Sequence, residues 1–150
     1  MGTTKRASFR AAIVTVATLT SIAAAPMAMA AESGGVGVQA LYCDSSGWTA
    51  SGDPHERCTS LSNGVLYHSK RASSSGTTLR TGYDKDGGST ISAQLGYSMS
   101  GTTKYASAVS IANGQNKSKS WTVSGDKACL NSVGLLSYSG GSYQTPAAHC

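Results

Sequence analysis

Ile91-Ser92-Ala93-Gln94-Leu95-Gly96-Tyr97-Ser98-Met99 decides the fold class of this 150-residue chain. Ile91, Ala93, Leu95, Tyr97 and Met99 alternate strictly with Ser92, Gln94, Gly96 and Ser98. A period of two describes a strand with one face toward a core and the other toward water. Working outward, further strand-like segments follow, separated by turn signals. On the N-terminal side, Val36 to Cys43 reads as a first strand and Asp44 to Ser60 as a cysteine-bracketed loop. Ser62-Asn63-Gly64 then turns the chain into Val65 to Lys70, Ser73 to Gly76 breaks that strand, and Thr77 to Tyr83 resumes it. Asp84 to Gly88 is a tight connection. On the C-terminal side, Ser100-Gly101 leads into Thr102 to Ile111, with Tyr105, Val109 and Ile111 on one side. Asn113-Gly114 precedes Ser118 to Ser124, in which Trp121 and Val123 alternate. Cys129 to Tyr138 is read as the last strand, followed by a Gly140-Gly141 turn and a tail through Pro146. No segment carries a helical period. The pattern predicts an all-β fold, a small antiparallel sandwich or barrel. Ser75 to Thr78 and Ser100 to Thr103 share the string Ser-Gly-Thr-Thr, which reads as two similar beginnings of strands.

The N-terminus has a different character. Lys5, Arg6 and Arg10 precede an uncharged run of small and apolar residues from Ala11 to Ala25, and Ala28-Met29-Ala30 supplies a small-x-small cleavage pattern. Together these describe a secretory signal peptide over residues 1–30, too short to be a membrane anchor. A flexible Gly-rich arm over residues 31–37 and one β domain over residues 38–150 are expected to follow. Three of the twelve basic residues lie in the leader, leaving nine against seven acids. A mature chain with so small a net charge, and no basic cluster larger than Lys70-Arg71, is not expected to bind nucleic acid or, once the leader is gone, a membrane. Lys117 and Lys119 fit one face of a solvated edge strand.

The only phenylalanine, Phe9, falls in the leader, while seven tyrosines and many Gly, Ser and Thr residues remain. That composition suits strands and turns and buries little aliphatic volume, so the core is expected to be thin. Cys43, Cys58, Cys129 and Cys150 are all in the mature region, where export allows disulfides. Four cysteines permit three pairings. Neighbour pairing, Cys43–Cys58 and Cys129–Cys150, is the expected one; each short loop then contributes about 3 kcal/mol on a loop-entropy basis. Its second bridge would pin the tail. The other pairings would tie the N-terminal region to the C-terminal one. A zinc site is disfavoured, because the chain has no Cys-x-x-Cys and His55 and His149 lack ligand spacing.

Each candidate for chemistry has an ordinary structural explanation. A hydrolase triad needs a histidine, a serine and an acid in register, and no Gly-x-Ser-x-Gly elbow is present. His68, beside Tyr67 in a strand, is expected at the surface or rim. Asp84, Asp86 and Gly87 begin like a calcium loop, but the remaining ligands are missing and a hairpin turn suffices. Asp53-Pro54-His55-Glu56 carries a helix-start signature good for a turn or so, which accounts for its two acids without a glycosidase pair. Aromatic side chains are the better candidates for contact. Trp121 is assigned to the core. Trp48, in the cysteine-bracketed loop, fits either packing or partner contact. Trp48, Tyr143 and the arm residues Glu32, Gly34 and Gly35 form the candidate partner-binding set, the arm ordering on docking. An exposed strand edge is a further possible docking element. No catalytic residue, cofactor or metal is assigned.

The exported leader, short arm, Tyr- and Gly-rich β domain and C-terminal Tyr143-Gln144-Thr145-Pro146 followed by Cys150 resemble small secreted proteins of actinomycetes. Val65-Leu66-Tyr67, Gly88-Ser89-Thr90-Ile91 and Val133-Gly134-Leu135-Leu136 carry the likeness. Within that group the chain looks most like the small adaptor subunit of umbrella toxin particles. The resemblance implies an adaptor that couples a lectin-like subunit to a large toxin-bearing subunit. The expectation is a secreted, non-enzymatic protein-binding module whose partner is another secreted protein, in an antibacterial assembly. The rival expectation is a peptidase or glycosidase inhibitor presenting the Cys43–Cys58 loop as a rigid segment.

Overall fold

A computed structural model describes residues 41–150. The fold is all-β, as expected. The described residues form nine strands: β1 (Glu56–Leu61), β2 (Gly64–Ser73), β3 (Gly76–Lys85), β4 (Ile91–Met99), β5 (Thr102–Tyr105), β6 (Val109–Ile111), β7 (Gln115–Val123), β8 (Ser132–Tyr138) and β9 (Gly141–Gln144). They form two antiparallel sheets, one ordered β1-β2-β3-β7 and the other β5-β4-β8-β9 with β6 also paired to β4. The proposed arm and the start of the proposed first strand, residues 36–40, lie outside the described residues; of that strand, Cys43 makes only an isolated bridge to Thr49.

The period-two segment behaves as its alternation predicts. Ala93, Leu95, Tyr97 and Met99 of β4 are buried between the sheets. Leu66, Tyr83, Ala93, Leu95, Ile111 and Leu136 form one apolar cluster, and Leu79, Tyr97 and Met99 form another. Trp121 packs edge-on against Tyr97 with ring centroids 5.1 Å apart, in agreement with its assignment to the core. Each fully buried Leu or Ile contributes about 1.5–3 kcal/mol, so two clusters this small make a thin core.

Between the clusters the inner face of β2 and β3 is polar. His68 and Lys70 are each only 1 % exposed. The expected surface position of His68 is therefore corrected. Its parity on β2 is that of Leu66, which faces the second sheet, so its ring is carried inward. There Nδ1 meets Thr81 Oγ1 at 2.9 Å and Nε2 meets Ser132 Oγ at 2.9 Å. Burial, reinforced by the Lys70 charge, lowers the His68 pKa to about 4. The Lys70 ammonium donates to the carbonyls of Ala148, at 2.8 Å, and Leu130, and burial lowers its pKa as well. These bonds tie the tail to the sandwich.

Five local expectations change. The cysteine-bracketed segment is not all loop, because β1 starts at Glu56. Asp53 and Pro54 open a turn into that strand rather than a helical turn; the Asp53 carboxylate accepts the His55 N–H at 2.9 Å. Thr102 to Ile111 is two strands, with Tyr105 and Val109 exposed and Ile111 buried, because β5 and β6 pair with different stretches of β4. Asp86 to Thr90 is no hairpin: it crosses from β3 in one sheet to β4 in the other. Beyond Tyr138 the chain makes one more strand, β9.

Candidate functional site

The segment that closes the first disulfide builds a shaped surface beside the first sheet. Cys43 and Cys58 are bonded to each other, the expected neighbour pairing. Between them the chain folds on its own carboxylate: Asp44 Oδ1 accepts the N–H groups of Ser46 and Trp48, both at 2.8 Å. Gly47 sits at φ +81°, and a Cβ there would lie 2.5 Å from Pro146 Cγ and 2.8 Å from Cys58 O. Only glycine makes that close crossing. Arg57 of β1 then clamps the loop. Its Nε donates to Gly47 O at 2.9 Å, its Nη2 to Ser46 O at 2.7 Å, and its guanidinium lies 4.0 Å from the centre of the Trp48 ring. A half-buried cation–π contact of this kind contributes about 0.5–2 kcal/mol. Trp48 thus packs under a cation while part of its surface stays open.

Beside this loop runs a groove of about 290 Å³ on the outer face of the first sheet, with Tyr42, Thr49, Ser51, Glu56, Tyr67 and Arg80 among its lining residues. Strand register explains its chemistry. Tyr67 is paired with Gly82, and a Cβ at Gly82 would lie 2.3 Å from Tyr67 Cζ, so the ring lies down over the glycine. The Tyr67 hydroxyl donates to Asn116 Oδ1 at 2.7 Å. Arg80 is held by Ser118 Oγ, at 3.2 Å from Nε and 3.0 Å from Nη2, with its guanidinium 5.9 Å from the Tyr67 ring. Ser51 donates to Glu56 Oε2 at 2.8 Å, while Glu56 Oε1 pairs with Arg71. The result is a fixed aromatic surface flanked by a cation, a carboxylate and hydroxyls. Tyr42 stands at the rim, 60 % exposed.

Of the residues proposed from sequence, Trp48 borders this region through its loop neighbours Thr49 and Ala50. Tyr143 lies elsewhere, on β9. It stacks on Tyr138 at 5.8 Å, with an angle of 19° between ring planes, and packs against the first apolar cluster. Glu32, Gly34 and Gly35 lie outside the described residues. Tyr42, Tyr67 and Arg80 were not proposed as a set. The available signal was the outward parity of Tyr67 and Arg80 on β2 and β3, which becomes informative only once the β2–β3 register places Tyr67 over Gly82.

The titratable candidates separate. Asp53 and Glu56 do not face each other: Asp53 holds the ring of His55, Nδ1 to Oδ1 at 2.8 Å, while Glu56 serves Ser51 and Arg71. His55 Nε2 points at Cys150 Sγ, 3.4 Å away, and not at a serine. His68 has two hydroxyl partners inside the sandwich. Among the described residues no group of three or more His, Cys, Asp or Glu side chains is placed to hold a metal ion. Lys117 and Lys119 are exposed on β7, an edge strand of the first sheet. No protein family, curated protein or solved structure matches this chain.

Proposed function

We propose that this chain is an exported, non-enzymatic binding module that docks another secreted protein as an adaptor in an extracellular antibacterial toxin complex. The observation that carries the reading is the braced groove of Tyr42, Tyr67, Arg80 and Glu56 beside the Trp48 loop. Aromatic and arginine side chains in a rigid setting lose little conformational freedom on docking, which is why they dominate protein contacts. The two disulfides agree with work in a non-reducing compartment. Export, the toxin complex and the adaptor role rest on the leader pattern and on the likeness to umbrella toxin adaptors.

The test uses the native processed chain. Affinity capture from culture fluid should bring down one stoichiometric protein partner, whose purified form binds the chain in calorimetry. Tyr67→Ala combined with Arg80→Glu should weaken that binding at least about 30-fold, the scale of a contact hot spot. A chain that stays alone in culture fluid, or a partner indifferent to the double substitution, would sink this reading.

The second reading is inhibition of a secreted peptidase or glycosidase, and the bracing of the Cys43–Cys58 loop by Asp44 and Arg57 favours it. It predicts tight inhibition of such an enzyme, abolished by substitutions between Ser45 and Trp48.

A further inference from the structure

The second disulfide has unusual surroundings. Cys129 and Cys150 are bonded to each other, and both residues are exposed at the surface. Beside them opens a shallow cleft of about 380 Å³ lined by Asp53, His55, Lys70, Arg71, Ala72 and Ala128. On one wall the His55 ring bridges a carboxylate and a sulfur, with Nδ1 2.8 Å from Asp53 Oδ1 and Nε2 3.4 Å from Cys150 Sγ. The Asp53 carboxylate is held below its usual pKa, first by the His55 backbone N–H and then by the His55 ring. It therefore stays an anion and keeps the ring oriented. Among the described residues no hydrogen bond reaches Cys129 Sγ. The two sulfurs of one bond are thus chemically unequal.

We propose that Cys129–Cys150 is a thiol-exchange site at which a small-molecule thiol becomes covalently attached to Cys129 while His55 assists the departure of Cys150. In this step a thiolate attacks Cys129 Sγ and its lone pair forms the new S–S bond. The old bonding pair leaves with Cys150 Sγ, which takes a proton from His55 Nε2. One disulfide is consumed and one is made, so no external oxidant or reductant is needed. Exchange is faster when the leaving thiolate is stabilised, and here that stabilisation falls on Cys150 alone. Attack in the other direction would expel Cys129 without assistance.

The product should remain folded. Ser132 and Ala148 exchange both backbone hydrogen bonds, at 3.1 and 2.8 Å, and the His149 N–H donates to Pro54 O at 3.0 Å. Lys70 holds the carbonyls of Leu130 and Ala148. These contacts keep the tail in place after the S–S bond opens. The charged and titratable groups around His55 are Asp53 on its own turn, Glu56 on β1, Lys70 and Arg71 on β2, and His149 on the tail. Glu56 and Arg71 neutralise one another.

The test treats the oxidised full chain with reduced glutathione under native conditions, quenches with acid, alkylates free thiols and maps adducts by mass spectrometry. The expected product carries one glutathione on Cys129, an alkylatable Cys150 and an intact Cys43–Cys58 bridge. Adducts shared equally between Cys129 and Cys150, or both bridges opening together, would overturn the proposal. His55→Gln should slow the exchange about tenfold and reduce the preference for attack at Cys129. An unchanged rate and an unchanged preference for Cys129 in that variant would also overturn it. If the variant misfolds, which loss of protection at Cys43–Cys58 would reveal, the selectivity for Cys129 in the wild-type chain still decides the matter.

Discussion

The two disulfides close loops of similar span, 15 and 21 residues, but they sit in opposite surroundings. Cys58 is completely buried beneath the Arg57 clamp, with its N–H bonded to Gly47 O at 3.0 Å. Cys129 and Cys150 are exposed, and the tail they close is also held by a buried lysine and a backbone bridge. Loop length alone would make the two crosslinks nearly equal in worth. Burial and neighbouring groups make the first a part of the structure and the second an accessible chemical group.

The largest effect should come from deleting the buried crosslink. Cys43→Ala with Cys58→Ala is expected to cost about 4 kcal/mol, from loop entropy plus the cavity left at Cys58. Urea unfolding measures it, and a loss below about 1 kcal/mol would mean that the Asp44 and Arg57 hydrogen bonds hold the loop without the bond. Acid is next, and it acts through the polar inner face of β2. The folded-state pKa of His68 is lowered to about 4, whereas an unfolded histidine titrates near 6.5. The unfolded chain therefore takes the proton first. The stability associated with neutral His68 is fully present above about pH 6.5 and is lost as pH falls to about 4, a change of about 3 kcal/mol. Urea midpoints across that range should show the loss, and His68→Gln should flatten it. Hydrogen exchange should find the first opening at Ser132 and Ala148, because Ser132 is the partner of His68 Nε2. If acid opens the Cys43–Cys58 loop first, the contrast between the two crosslinks is wrong.

Removing the exposed crosslink, Cys129→Ala with Cys150→Ala, should cost only about 2 kcal/mol, because solvent replaces the sulfurs and Lys70 still holds the tail. Equal costs for the two deletions would return the argument to loop length. The smallest stability change, under about 1 kcal/mol, is expected for Tyr67→Ala, whose ring covers Gly82 on the outer face rather than filling the core. That substitution separates groove function from folding: thermal unfolding should barely move while partner affinity falls.

Much of the sheet structure was legible in the sequence. The β4 alternation is complete over its whole length, and the core placement of Trp121 and the neighbour pairing of cysteines followed from local pattern and spacing. His68 was not legible in the same way. A polar residue between Tyr67 and Ser69 looks like a surface residue until the parity of β2 is set by its packing, and then Thr81 and Ser132 supply the hydroxyls that make burial tolerable. The break between β5 and β6 was hidden for a related reason, because strand pairing and not propensity decides where an edge segment ends. Tyr67 and Arg80, 13 positions apart, form part of one groove only through the antiparallel β2–β3 register.

By itself the sequence determined the class of fold and the means of bracing it, since alternation, turn residues and cysteine spacing are local properties of the chain. Tertiary structure alone decided which face of β2 is inside, which disulfide is exposed, and that His55 lies against Cys150, 95 residues away. Those are relations between distant segments, and they exist only after the two sheets have packed against each other.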